Sequence, residues 1–171
     1  MKMMNTQGRR VEGSYFADES AARQAVQLAL PLLERAMRDP AVGESGFLYI
    51  VIMDPGLDAR CSGFEEAILY EHALGDRAQW DADYAAFARD KAKVCWRTGR
   101  DGHTVRHVLP HLLRESDSGI WGGVCIDGIV VAVSGANSWY DEAFAATIAH
   151  CLKAVSKGRA LARAESPALG L

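Results

Sequence analysis

Three histidines, one lysine and two adjacent carboxylates carry most of the chemistry on offer in this chain. His103, His107 and His111 are spaced by four residues. On one unbroken helix they would share a face, as metal ligands can. Pro110 lies inside that span and opposes an unbroken helix, because proline in a helix interior costs about 3 kcal/mol. No cysteine or paired carboxylate completes a metal pattern nearby, so surface histidines and ligands both stand as readings. Lys91 falls in the middle of an apolar stripe made by Tyr84, Phe87, Ala88, Val94 and Cys95. A lysine there can bury its stem and keep its ammonium in water, pair with a buried carboxylate, or bind an anionic ligand. Asp141 and Glu142 follow Ser138, a good helix N-cap, with Asp141 three residues on as in a capping box. Both acids also complement the positive end of a helix dipole.

The element that must position these groups is the stretch from Trp121 to Glu142, WGGVCIDGIVVAVSGANSWYDE. Asp127-Gly128 between two apolar runs is the signature of a two-residue β-turn with positive φ at both central residues. That turn sets a register in which Ile126 faces Ile129, Val124 faces Val131 and Gly122 faces Val133. One face is then bulky and β-branched. The other, Gly123, Cys125, Val130, Ala132 and Ser134, is small and admits either a helix or a ligand lying on the sheet. Pairing through the turn brings the glycines beside the end of the second strand. This predicts a pocket bounded by Gly122, Gly123, Ser134, Gly135 and Lys91, with Asp141 and Glu142 at the same end of the sheet. A Lys91–carboxylate pair that anchors helix to sheet is the alternative.

Elsewhere the pattern alternates helices and strands. Residues 19–38 show a helical stripe (Ala22, Val26, Ala29, Leu30, Leu33, Met37), with Pro31 expected to kink it. FLYIVIM at 47–53 reads as a strand buried on both faces. Asp54-Pro55-Gly56 is a turn, after which 58–62 is expected to return as a second strand. Ser62 and Glu65 suggest a capped helix running to Leu74 and ending at Gly75. Residues 63–83 look insertion-like, and their acidic part, Asp76 to Asp83 with Trp80, reads as a lid over a site, an oligomer contact or a solvated connector. A helix follows over 84–97. The last helix is expected from Trp139 to Ser156, stopping at Gly158.

The order of these pieces carries a resemblance. Ile50-Val51-Ile52-Met53-Asp54 with Gly56, then Asp90-Lys91-Ala92, then Gly122-Gly123, Asp127-Gly128, Val131-Ala132-Val133-Ser134-Gly135 and Asp141-Glu142, together resemble the GlcG/HbpS-like family, which includes PduO-type C-terminal domains. The resemblance spans roughly residues 21–160. Cys125 stands where the family usually has proline, and the segment before Lys91 is longer than usual. The resemblance implies a single-domain, three-layer, profilin-like α/β fold, with a central antiparallel sheet of four to five strands flanked by helices. It also implies frequent homo-oligomers and, in some members, haem, corrinoid or iron as ligand. His103, His107 and His111 are then the axial candidates, and Lys91 a candidate for an anionic ligand.

Composition bounds the rest. The 171 residues are 49% hydrophobic and 24% charged, so one domain with a proper core is expected. It divides as a flexible arm over 1–17, the domain over 18–160 and a tail over 161–171. A net charge of −3 gives no electrostatic footing for nucleic acid, and no apolar run approaches a membrane span. MKMMNTQGRR lacks the apolar core of a signal peptide, and the four scattered cysteines read as reduced thiols, so a cytoplasmic protein is expected. Two functions are carried forward. One is a small-molecule-binding accessory protein whose ligand is haem or another tetrapyrrole, or a small anionic metabolite. The other is an enzyme of small-molecule catabolism using Lys91 with a carboxylate, or His103, as acid and base. At least a homodimer is expected, with Trp80 or Trp96 in the interface.

Overall fold

The computed structural model describes residues 12–166. Its centre is a four-stranded antiparallel sheet: β1 (Leu48–Met53), β2 (Ile68–Leu74), β3 (Gly123–Ile126) and β4 (Ile129–Ser134), in the spatial order β2-β1-β4-β3. The Asp127-Gly128 turn forms as its sequence requires, with φ of 49° and 83°, and Ile126 pairs with Ile129 and Val124 with Val131. β1 is buried at all six positions. Its even residues, Leu48, Ile50 and Ile52, join Val124, Val131 and Val133 under α1 (Glu19–Ala36) and α5 (Ser138–Glu165). Its odd residues, Tyr49, Val51 and Met53, join Val130 and Ala132 under α3 (Tyr84–Thr98). The sheet is therefore sandwiched between two helical layers, and the small face of the hairpin is the one that lets α3 approach. No fifth strand is present among the described residues.

The structure corrects the sequence expectation in the segment between β1 and α3. Residues 58–62 are a turn, not a strand: the Asp58 side chain accepts from Arg60 N at 2.8 Å, and its carbonyl accepts from Ser62 N at 3.1 Å. The expected helix over 62–74 lasts one turn, α2 (Phe64–Ala67), capped by Gly63 with Glu66 rather than by Ser62 with Glu65. The chain then becomes β2. Tertiary context overrides local propensity here, because β1 is fully buried and its second edge needs a hydrogen-bonding partner. A bulge opposite Ile52/Met53 adjusts the register, and Glu71 is held by a bidentate Arg89 at 2.7 Å. Much of the insertion-like 63–83 segment is thus an integral edge strand.

Two helix ends also differ. The N-cap of α5 is Asn137, not Ser138, and Asn137 Nδ2 donates to the Ala41 carbonyl at 3.0 Å. α5 runs through Gly158 to Glu165, held at its far end by Arg159, which donates to Asp18 Oδ1 at 2.7 Å and Ser20 Oγ at 2.8 Å. Similarly, α1 continues through Pro31. Of the arm expected over 1–17, residues 1–11 lie outside the described residues. Ser14 N donates to Asp54 Oδ1 at 2.8 Å, which ties the following segment to the end of β1. In the expected tail, 167–171 likewise lie outside.

Candidate functional site

Lys91 is held by the third turn of α3, above the β3–β4 end of the sheet, and its side chain is almost sealed. The residue is 4% exposed and Asp141 1% exposed. The ammonium donates to Asp141 Oδ2 at 2.8 Å, to the Val133 carbonyl at 3.0 Å and to Ser134 Oγ at 3.4 Å. An ammonium has three hydrogens, so its donors are used up within the protein. The other Asp141 oxygen accepts from Ala136 N at 2.9 Å, which bends the strand end into α5 in place of the expected capping box. Burial raises the Asp141 carboxyl to about 6, a rise opposed by the Lys91 charge and the backbone donors.

The glycines of the predicted pocket are explained by this pair. Gly122 has φ +140°, and a Cβ there would meet Asp141 Cβ at 2.6 Å and Lys91 Nζ at 3.1 Å. At Gly123 a Cβ would meet Cys95 Sγ at 2.9 Å. The space over both glycines is filled by protein, so Lys91, Gly122, Ser134 and Asp141 come together as a packed polar core. A cleft of about 450 Å³ does open beside the end of β4, lined by Ser45, Asp81, Tyr84, Gly135 and Asn137, but not by Lys91.

Glu142 feels the charges of His103 and Asp101 at the edge formed by α4 (Gly102–His107) and the start of β3. The His103 ring packs on Trp121 with centroids 4.6 Å apart and on His107 at 4.5 Å. Burial raises the Glu142 carboxyl, the nearby His103 imidazole opposes the rise, and Asp101 adds to it. Glu142 Oε2 is shielded from solvent and has no hydrogen-bond partner among the described residues. Asp101 is occupied, its Oδ1 accepting from Cys125 N at 2.8 Å. His111 is separate, in a 3-10 turn over Pro110–Leu112, so Pro110 does break the run of histidines. No cluster of three or more His, Cys, Asp or Glu suited to a metal ion is present among the described residues. The charge influence of the α4 edge on Glu142 was not legible in the sequence, because it joins positions about forty residues apart with no shared motif.

The tryptophans named for an interface have partners inside the chain. Trp96 Nε1 donates to the Leu57 carbonyl at 2.7 Å, and Trp80 packs edge-on against Tyr49 and Tyr84. Trp139, at 60% exposure, is the open one. Phe87, expected on the buried stripe of α3, is exposed instead. No helix among the described residues is long and apolar enough to cross a membrane.

Fold and site define an α/β protein with a four-stranded antiparallel sheet between helical layers, a sealed Lys91–Asp141 pair and an aromatic, histidine-bearing edge. No family model and no curated protein matches the chain by sequence. Among solved structures, it is similar to the crystal structure of Klebsiella pneumoniae protein ORFY, a DUF336 protein. The TM-score is 0.55 at 15% identity, over 89% of this chain and 98% of that one. At that identity the likeness shows the fold.

Proposed function

We propose that this chain is a small-molecule-binding accessory protein of the GlcG/HbpS-like kind, and that its ligand is a tetrapyrrole, haem or a corrinoid, bound at the α4–β3 edge. The fold shared with a DUF336 protein and the order of the sequence motifs support the family reading. The observation that carries the ligand reading is the His103 ring, exposed and packed on Trp121 and His107, within the electrostatic reach of the Glu142 carboxylate. An imidazole supplies an axial nitrogen, an indole supplies a stacking face, and a carboxylate behind the imidazole is the usual second partner of a metal-bound histidine. The residues fit one axial ligand. They do not fit a macrocycle held between His103 and His107, whose rings already pack against each other at 4.5 Å.

Lys91 and Asp141 have a framing role in this reading, since the Lys91 ammonium has no hydrogen left for a ligand or for acid–base work. Self-association is also proposed, supported by the exposed apolar side chains Leu28, Leu32 and Trp139. Light scattering that reports a monomer at micromolar concentration removes that part. For the ligand, haemin titration should give a Soret shift saturating at one per subunit, which His103→Ala, His107→Ala or both together abolish. An unchanged spectrum in all three variants refutes the assignment.

A further inference from the structure

We propose that the outer edge of β2 is a self-association surface: two copies of the chain pair β2 with β2, antiparallel, about a two-fold axis at His72, and so join their two sheets into one. This rests on the self-association reading above and assigns it to backbone groups of β2 rather than to Leu28, Leu32 and Trp139.

In an antiparallel ladder, alternate residues send both backbone groups to the same neighbouring strand. Val133 N donates to the Gly122 carbonyl at 3.1 Å, so the odd residues of β4 serve β3. The even residues Ala132 and Ser134 serve β1 through Val51 and Tyr49. Leu48, Ile50 and Ile52 then serve β2 through Leu74, His72 and Tyr70. The N–H and C=O of Glu71 and Ala73 are left pointing outward, and no partner meets them among the described residues. The opposite edge of the sheet is closed. There the outward Cys125 N is capped by Asp101 Oδ1 at 2.8 Å.

An uncovered edge strand is a template for pairing, and chains that avoid pairing place proline, lysine or a bulge on it. Residues 70–74 carry none of these, because the bulge falls before them, opposite Ile52/Met53. Their acid, Glu71, is already paired with a bidentate Arg89 at 2.7 Å. Burial and the Arg23 charge push the His72 imidazole down, so it is neutral at pH 7. This regular stretch is centred on His72, and under an axis there it is its own complement. Glu71 of each copy then lies opposite Ala73 of the other, which keeps two glutamates from facing each other. The outward N–H groups of each copy meet the outward carbonyls of the other.

Analytical ultracentrifugation of the full chain reads the assembly, and amide hydrogen exchange reads the edge. Wild type should be a dimer at micromolar concentration, with the Glu71 and Ala73 amides protected. Ala73→Pro removes an outward donor and spares the β1–β2 ladder, since proline is tolerated where the N–H faces outward. It should weaken the dimer roughly 10-fold or more. His72→Lys leaves the backbone untouched and sets like charges opposite each other, so it serves as the test if Ala73→Pro does not fold. It should weaken the dimer as well, and less so at high salt. A monomeric wild type refutes the edge and the self-association reading together. A wild-type dimer that keeps its affinity in the folded variants, with the Glu71 and Ala73 amides unprotected, overturns the edge alone. Protection that persists in a monomeric His72→Lys means that the edge is covered within one chain, and also overturns the proposal.

Discussion

Replacing Lys91 with methionine keeps the stem and removes the charge, which leaves Asp141 buried without its counter-ion. In the wild type the folded carboxyl stands at about 6, while its unfolded value is about 3.9. A folded acid that holds its proton more tightly than the unfolded chain stabilises fully below the unfolded value, and that contribution is lost as pH rises through the folded one. Without Lys91 the carboxyl should move further up, toward the range of about 8–9 known for buried carboxylates. Between pH 6 and 8 the wild-type contribution is then nearly flat. The variant loses about 1.4 kcal/mol per pH unit over the same interval. Lys91→Met should therefore be modestly destabilised at pH 6, and the gap to wild type should widen by about 2 kcal/mol by pH 8. Urea unfolding at the two pH values measures it, and titrations common to both proteins cancel in the difference. A gap that stays constant within about 0.5 kcal/mol refutes the idea that Asp141 is the group left uncompensated. In Lys91→Met with Asp141→Asn the pH dependence of the gap should vanish. At pH 6 the single variant should still give the wild-type haemin titration, as a framing role requires.

Two other outcomes are expected. Gly122→Ala puts a Cβ into Asp141 at a positive φ and should cost at least about 2 kcal/mol, seen as a lower unfolding midpoint. Asp117 accepts from Arg97 at 2.6 Å and 2.8 Å and is held below the usual carboxylate range by that guanidinium. Its stabilising effect is present above the unfolded value and fades as pH falls through the lowered folded value, so Asp117→Asn should cost about 1–3 kcal/mol at pH 7 and progressively less as pH falls below about 4. It should also speed proteolysis in the 113–120 loop.

What could be read from the sequence was local or periodic. The Asp127-Gly128 hairpin and its register follow from turn chemistry, and β1 follows from an apolar run of strand length. The meeting of Lys91 with Asp141 was one of two readings drawn from the strand ends. β2 was missed because Ile68–Leu74 contains alanine, leucine and glutamate behind a helix-start pattern, and only the open edge of β1 makes it a strand. The glycines at 122 and 123 were read as openings, because sequence shows the lack of a side chain and not the neighbour that fills the space. Gly158 was read as a stop, yet Arg159 bonded to Asp18 and Ser20 holds the helix beyond it.

That last contact bears on the order in which the protein can assemble. Asp18, the cap of α1, lies 141 residues from Arg159. On the ribosome, α1 emerges early and has neither α5 beside it nor the inner pair β1–β4 beneath it until nearly the whole described chain has been made. Short isolated helices are marginal in water, and contacts this far apart in sequence close slowly. The apolar stripe of α1 must therefore spend most of synthesis uncovered. A chain halted before α5 should be a client for chaperones, whereas one released after Arg159 can close both ends of the α1–α5 layer together.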